Sequence, residues 1–215
     1  MILVACGVGA EARAAASTDV RAVAGGGDAT WLATALDALA PRASGIVSWG
    51  LAGALNSDLH VGSWVVGTGV TGGFHATCDA GWRERIAAAL PRAREGRFYA
   101  DGGLADPPRK HSLGVSGAIA VDMESHVVAR VAAAHRLPFV IVRVISDAVD
   151  DAMPPAVRVA MGPRGTTDYR RLMASLGRHP TQIPAFAAFA WRSVGCLRVL
   201  RAGRVSLGPR LGLGA

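Results

Sequence analysis

The stretch from Ala120 to Asp147, which reads AVDMESHVVARVAAAHRLPFVIVRVISD, restricts the fold of this chain more than any other. Apolar residues recur at helical spacing after Ser125, which can cap a helix, and Pro138 cannot continue that helix. The continuous, largely β-branched run from Phe139 to Ile145 is typical of a strand buried on both faces of a sheet. The sequence therefore predicts an α/β domain with carboxylates at a helix entrance and a strand end, where open α/β sheets bind ligands.

The amino-terminal segment predicts a second ligand-facing turn. Residues Ile2 to Cys6 form an apolar strand that leads into Gly7 to Ala12, a near match to the dinucleotide fingerprint G-x-G-x-x-G/A. A dinucleotide site needs a second strand ending in an acidic residue about 20 residues later, but Val20 to Ala24 ends in three glycines. We interpret the turn as glycine backbone passing close to a ligand, with Glu11 in the first helical turn. The alternative for Glu11 is a solvated carboxylate that the helix dipole favours.

Composition indicates one domain with a large core. The chain has 215 residues, of which 51% are hydrophobic, and no internal repeat. We expect a single domain over 1–215, in which 151–215 form a helical carboxy-terminal extension. The segment from Pro91 to Gly117 predicts only a loop and a short helix.

The net charge of +7 rests almost wholly on arginine, because Lys110 is the only lysine. The sequence has no basic patch interleaved with aromatic residues, which argues against nucleic acid as a partner. An anionic membrane surface and a merely solvated arginine-rich surface both remain consistent with this charge. The three cysteines have no paired spacing, so neither a zinc site nor a disulfide framework is predicted, and reduced thiols fit the cytoplasm.

The order V-D-M-E, then P-F-x-x-x-R-x-x-S-D ending at Asp147, resembles the purine nucleoside phosphorylase superfamily. The methylthioadenosine/adenosylhomocysteine nucleosidases are similar, and the variant DMESH resembles the hopanoid-associated phosphorylases of bacterial hopanoid operons. The resemblance implies an enzyme with a doubly wound α/β domain, whose mixed central sheet is flanked by helices, over roughly the first 150 residues. It implies no metal and no organic cofactor, and it implies a homo-oligomer.

The resemblance also implies roles for individual residues. Asp147 would protonate the departing purine, with Ser146 orienting it, and Glu11 would hold the attacking water. Glu124 would accept both ribose hydroxyls, while Met123 offers an apolar surface to the sugar. The alternative for Asp147 is a helix cap after a strand.

The glycine-rich segment after Trp49 is expected to be a loop against the ribose and base, through Leu51, Ala52 and Gly53. Phosphorylases of the superfamily carry Arg-x-Gly-Ser/Thr there to bind phosphate, but this chain reads Ser48-Trp49-Gly50-Leu51. Burying a phosphate dianion without a cation is unfavourable, so water is favoured as the nucleophile. Arg13 and Arg143 are candidate substitutes, which leaves phosphorolysis open.

The last predicted helix, starting near Ile183, has one apolar face and is judged too short and too charged to span a bilayer. One interpretation docks it on the sheet or on a partner subunit. The other lays it on an anionic membrane, because the substrate implied by the hopanoid resemblance is the lipid adenosylhopane. The predicted reaction is hydrolysis of adenosylhopane to adenine and ribosylhopane, by a cytoplasmic protein peripheral to the inner membrane face. The alternatives are phosphorolysis to phosphoribosylhopane, and a catalytically inactive nucleoside- or lipid-binding protein.

Overall fold

A computed structural model describes residues 1–162 and 165–214. Short 3₁₀ turns at Ala40–Arg42 and Pro180–Gln182 accompany the strands and helices. In chain order the strands and helices are β1 (Ile2–Cys6), α1 (Gly9–Ala15), β2 (Val20–Ala24), α2 (Ala29–Leu39), β3 (Gly45–Ala54), β4 (Trp64–Gly72), β5 (Ala76–Thr77), α3 (Ala80–Ala89), β6 (Arg94–Ala100), α4 (Pro107–Gly114), β7 (Ala120–Asp122), α5 (Ser125–His135), β8 (Phe139–Asp147), α6 (Pro155–Ala160), α7 (Tyr169–Arg178) and α8 (Ile183–Ser206).

The sheet is mixed, and five of its strands close into a ring. Strand β3 pairs in parallel with β1 and with β8, and β8 pairs antiparallel with β4. Strand β4 runs parallel to β6, β6 runs parallel to β7, and β7 returns antiparallel to the end of β3. Strand β2 extends the sheet beyond β1, and the short β5 pairs with β4. The predicted α/β class with a mixed central sheet is confirmed.

Helices cover both faces of this sheet, as a doubly wound domain requires. Leu32 and Leu36 of α2 pack with the buried face of α5 on one side. Trp82 and Ile86 of α3 pack with α8 on the other side. Strand β8 is buried from Phe139 to Ile145, as its β-branched run predicts.

The two halves of α8 have different surroundings. Cys196, Leu200 and Gly203 are buried in the core layer that also contains Trp64. A Cβ atom on Gly203 would lie 2.2 Å from the Trp64 ring, so the helix approaches the sheet as closely as glycine permits. The first half is exposed, and Trp191 has 80% of its surface in solvent. The carboxy-terminal half thus docks on the sheet, as one sequence interpretation held.

The last helix is longer than expected. The stretch Pro180–Ser206 is long and apolar enough, by length and composition, to cross a membrane, so the expectation that it is too short and too charged was wrong. A single such helix is weak evidence for a membrane span, and its second half is packed against the sheet.

Three local expectations were wrong. The segment expected to be a loop before α4 contains β6, whose Arg94, Glu95 and Arg97 hide the strand pattern because only Phe98 and Ala100 are fully buried. The glycine-rich segment after Trp49 is not a loop, because β3 continues to Ala54 with an irregularity at Ala52/Gly53 and stays paired with β8.

Ser125 does not cap α5. It is the first residue of that helix, and Asp122 accepts hydrogen bonds from the backbone N–H groups of Glu124 (2.9 Å) and Ser125 (2.8 Å). Asp122 therefore satisfies the donors at the helix start that Ser125 was expected to satisfy.

Candidate active site

Glu11 is held by backbone donors from two separate segments. Its Oε2 accepts from the N–H groups of Gly7 (2.8 Å) and Val8 (2.9 Å), and its Oε1 accepts from Leu51 N–H (2.8 Å) on β3. The residue is 4% exposed, so it is not the solvated carboxylate of the alternative interpretation. Burial raises the pKa of Glu11, although the Arg143 guanidinium and the three N–H donors oppose that rise. The structure thus gives α1 an oriented carboxylate that can take up a proton more readily than a solvated one.

Arg143 of β8 ties the entrance of α5 to the sheet. Its Nε lies 3.3 Å from Asp122 Oδ2, and its Nη2 lies 3.2 Å from Glu124 Oε2. The same Nη2 donates to Ser48 Oγ at 2.6 Å. Asp122 and Arg143 therefore form a buried ion pair. Since Arg143 is fully buried, this guanidinium is committed to the protein interior.

Glu124 is a buried acid that titrates near neutrality. It is 5% exposed, and burial raises its pKa to about 7, with further increases from Asp122 and Glu11 and an opposing effect from Arg143. Three carboxylates and one guanidinium share this cluster in the described part of the chain. Burial and the two neighbouring carboxylates therefore both disfavour the ionised form of Glu124.

Two glycines lie against the side chains of the predicted ribose site. A Cβ atom on Gly7 would lie 3.2 Å from Glu11 Oε2 and 3.3 Å from Glu124 Oε1, so both carboxylates converge on this residue. A Cβ atom on Gly27 would lie 3.0 Å from Met123 Cε. The glycine turns that follow the parallel strands β1 and β2 therefore leave room for Glu124 and Met123 at the same edge of the sheet.

Asp147 ends β8 with a donor on each carboxylate oxygen. The Ser146 hydroxyl donates to Oδ1 at 2.6 Å, and the Lys110 ammonium pairs with Oδ2. The Asp147 side chain keeps 24% of its surface exposed. It is not a helix cap, because the next helix, α6, starts at Pro155 with Pro154 as its N-cap. Asp147 is therefore available to a ligand while both of its oxygens are fixed in place.

Strand β3 links the two ends of the site. Leu51 N–H binds Glu11, and Gly53 pairs with Asp147 two positions further on, which corresponds to roughly 7 Å along a strand. A Cβ atom on Gly53 would lie 2.8 Å from Asp147 Oδ2, so only glycine fits here. Ala52 is buried and offers its carbonyl oxygen, 3.3 Å from Ser146 Oγ, rather than a side chain. The residues predicted from β3 thus act mainly through their backbone.

Lys110 is the site residue that the sequence analysis missed. It lies on α4, more than 30 residues before Asp147, and its side chain is 1% exposed. The one available signal was that a chain rich in arginine keeps a single lysine. No cluster of three or more His, Cys, Asp or Glu residues that could hold a metal occurs within 1–162 and 165–214.

A mixed sheet with helices on both faces and buried carboxylates at strand ends defines an α/β protein with a polar ligand site. The family model of the phosphorylase superfamily matches residues 1–164, so the chain belongs to that superfamily. The superfamily expected from the V-D-M-E and S-D motifs is thereby confirmed. A comparison with curated protein sequences finds no match.

Solved structures share this fold along nearly the whole chain. Futalosine hydrolase of Helicobacter pylori has a TM-score of 0.67 at 15% identity and covers 96% of this chain and 96% of its own. A 5′-methylthioadenosine/S-adenosylhomocysteine nucleosidase from S. pneumoniae was solved with the transition-state inhibitor MT-ImmA. It has a TM-score of 0.61 at 14% identity, and the match covers 96% of this chain and 99% of that enzyme. The Helicobacter pylori enzyme of the same name, with butyl-thio-DADMe-Immucillin-A, has a TM-score of 0.62 at 14% identity. The match covers 94% of this chain and 96% of that enzyme. Similarity at these identities establishes the common fold.

Proposed function

We propose that this chain is a nucleosidase that hydrolyses the N-glycosidic bond of a 5′-modified adenine nucleoside and releases adenine. The observation that carries the proposal is the convergence of Glu11 and Glu124 on Gly7, with Asp147 of β8 paired with Gly53, two positions after Leu51 on β3. Its superfamily and the nucleosidases that share its fold support a reaction at a glycosidic bond.

Each carboxylate has a separate task in this reaction. Glu11, whose pKa is raised by burial, accepts a proton from the attacking water. Glu124 accepts the ribose hydroxyls, and the negative cluster stabilises the positive charge that develops on the sugar. Asp147, oriented by Ser146, passes a proton to the purine ring as the base departs. Met123 covers the apolar face of the ribose.

Water is the nucleophile that this charge distribution favours. A phosphate dianion beside Glu11 and Glu124 would meet two carboxylates, and the neighbouring Arg143 guanidinium is already bound to Asp122, Glu124 and Ser48. The Ser48 hydroxyl is engaged as well, since it lies 2.9 Å from Ser125 Oγ. Phosphorolysis giving phosphoribosylhopane is the competing reaction, and it would require a cation such as the exposed Arg13 to enter the site.

The substrate we propose is adenosylhopane, giving ribosylhopane, on the basis of the DMESH motif and of the surface beside the site. The first half of α8 exposes Ile183, Trp191 and Val194, and α7 lines a basic groove with Arg170 and Arg178. Apolar side chains beside arginines suit the interface of an anionic membrane. We therefore place the protein in the cytoplasm, peripheral to the inner membrane face, and we expect a homo-oligomer from the family resemblance.

Adenine release tests the reaction. Purified protein is incubated with adenosylhopane and, in parallel, with methylthioadenosine, each with and without inorganic phosphate. We expect equal rates with and without phosphate, a preference for adenosylhopane, and loss of base release in Asp147→Asn with ligand binding retained. Strict dependence on phosphate would establish phosphorolysis, and no release from either substrate would favour a binding protein.

Vesicle co-sedimentation tests the membrane surface. Trp191→Ser should reduce binding to phosphatidylglycerol vesicles several-fold, whereas Val205→Ser, an equally exposed position on the docked half of α8, should not. Vesicles of phosphatidylcholine alone should bind weakly, because the basic groove then lacks anionic headgroups. If Trp191→Ser instead lowers the molecular mass in sedimentation velocity, the exposed half of α8 is a subunit interface and the membrane proposal is wrong.

A further inference from the structure

Lys110 is a buried ammonium with a complete set of acceptors. Its Nζ pairs with Asp147 Oδ2 and donates to the carbonyl oxygens of Ala148 (2.7 Å) and Asp151 (3.1 Å). An ammonium has three N–H donors, and here each one meets an oxygen. A neutral amine would have only two donors for these three oxygens, so the geometry fits the charged form of Lys110.

This arrangement favours the ionised form of Asp147. Oδ2 faces the Lys110 ammonium, and Oδ1 lies 2.6 Å from Ser146 Oγ, whose single hydrogen also has the Ala52 carbonyl oxygen within 3.3 Å. An opposite charge at hydrogen-bond distance favours the charged form of a carboxylate. A purine substituted at its glycosidic nitrogen, however, presents a lone pair at the imidazole-ring nitrogen, and an ionised carboxylate cannot donate to it. The pairing with Lys110 therefore opposes the protonated form of Asp147 that the reaction requires.

We infer that Lys110 is a positioning residue that fixes Asp147 in its ionised form until a purine binds, so that binding of the purine draws one proton from solvent onto Asp147. This inference rests on the proposed function, because it concerns the acid of that reaction. As the C–N bond breaks, its electron pair leaves with the base, and the proton on Asp147 moves to the ring nitrogen. The attacking water provides the hydroxyl of the sugar and returns one proton to solvent through Glu11, so the overall reaction neither gains nor loses protons.

The other charged groups around this pair are accounted for. Asp151 Oδ2 is 2.8 Å from Arg192 Nη1 of α8, so these two charges compensate each other. His111 and Asp150 form an exposed pair at 2.8 Å. Burial raises the pKa of Cys196, which leaves this neighbour an uncharged thiol. The group that can take up a proton beside the base is therefore Asp147.

Two ligands separate the two protonation states of Asp147. The ring nitrogen of 9-methyladenine has only a lone pair, so its binding requires protonated Asp147. The corresponding nitrogen of 9-deazaadenine carries a hydrogen and can donate to the ionised carboxylate. Calorimetry in buffers of different ionisation enthalpy, at about pH 8, measures the proton taken up by each complex. This pH lies above the pKa of Glu124, about 7, so Glu124 is mostly ionised before ligand binds, and the comparison of the two ligands cancels any proton that Glu124 takes up in both complexes.

We expect uptake of close to one proton with 9-methyladenine and none with 9-deazaadenine, together with at least tenfold tighter binding of 9-deazaadenine. Lys110→Met should reduce the ratio of the affinity for 9-deazaadenine to that for 9-methyladenine at least tenfold. Lys110→Arg should largely restore this ratio. Arg109→Met, on the same helix but paired with Asp101, is the matched control and should leave the ratio unchanged.

Equal proton uptake with both ligands would overturn the inference. This comparison needs only the unmodified protein, so it can be made even if Lys110→Met does not fold. An unchanged affinity ratio in folded Lys110→Met would overturn it as well. Failure of the proposed function has a different signature, because neither ligand would then bind. Binding of both without differential uptake leaves the nucleosidase intact and removes the role of Lys110.

Discussion

Replacing Glu124 by glutamine should make the protein more stable above neutral pH while removing its activity. Burial raises the pKa of Glu124 from 4.5 to about 7, so the folded state binds this proton more tightly than the unfolded state does. The contribution of Glu124 to stability is therefore fully present below pH 4.5 and is lost as the pH rises through about 7. At about 1.36 kcal/mol per pKa unit, the loss is on the order of 3 kcal/mol.

The size of this effect follows from the geometry of the cluster. Glu124 is 5% exposed and shares the Arg143 guanidinium with Asp122, while Glu11 lies nearby. Glutamine keeps an oxygen that can accept from Arg143, yet it brings no charge into a site that already holds two other carboxylates. The variant should thus lose the unfavourable ionisation without leaving the guanidinium unpaired.

Urea unfolding at about pH 5, 6, 7 and 8 measures the effect. Between the two ends of this range, the difference in unfolding free energy between Glu124→Gln and the unmodified protein should shift by roughly 2 to 3 kcal/mol in favour of the variant. The dependence of that free energy on urea should stay unchanged, since both proteins expose the same surface on unfolding. Activity should fall by two orders of magnitude or more, because the ribose hydroxyls lose their charged acceptor.

Glu84→Gln is the matched control, because Glu84 is an exposed residue on α3, and it should leave the pH dependence of stability as it is. A difference between Glu124→Gln and the unmodified protein that stays constant with pH would refute the reasoning about burial. Unchanged KM and kcat would refute the placement of Glu124 at the ribose.

Other substitutions test the packing of the site. Arg143→Met should cost about 3 to 5 kcal/mol in urea unfolding, because it leaves Asp122 and Glu124 buried without a cation, and a loss under 1 kcal/mol would contradict the buried ion pairs. Gly53→Ala should lower kcat at least tenfold by displacing Asp147, whereas Gly177→Ala, where a Cβ atom meets nothing within 4 Å, should leave kcat unchanged.

Much of the fold was predictable because its signals are local. Strand β8 is an unbroken apolar run, and α2 begins after Asp28, whose side chain accepts from Trp31 N–H at 2.8 Å as a helix cap does. Strand β6 was not predictable in this way, because it carries charges on its exposed positions and becomes a strand by pairing with β4 and β7. Tertiary pairing, rather than the local pattern, decides such a segment.

The same distinction applies to the site. Asp147, Glu124 and Glu11 lie in motifs that can be recognised in the sequence, and the structure brings them to neighbouring strand ends. The partner of Asp147 could not be inferred, because nothing near Lys110 in the sequence indicates which acceptors its ammonium will meet. Long-range contacts of this kind follow from the path of the whole chain.

The closed ring of β3, β8, β4, β6 and β7 determines which parts of the protein can move. Because every ring strand is hydrogen-bonded on both sides along part of its length, Leu51 of β3, whose N–H binds Glu11, and Asp147 of β8 cannot separate without breaking the ring. Amide hydrogens of these strands should be among the last to exchange with solvent. Substrate entry must therefore depend on segments outside the ring, such as 101–106 and 148–154, and their sequence is where a change of substrate can arise without loss of the catalytic geometry.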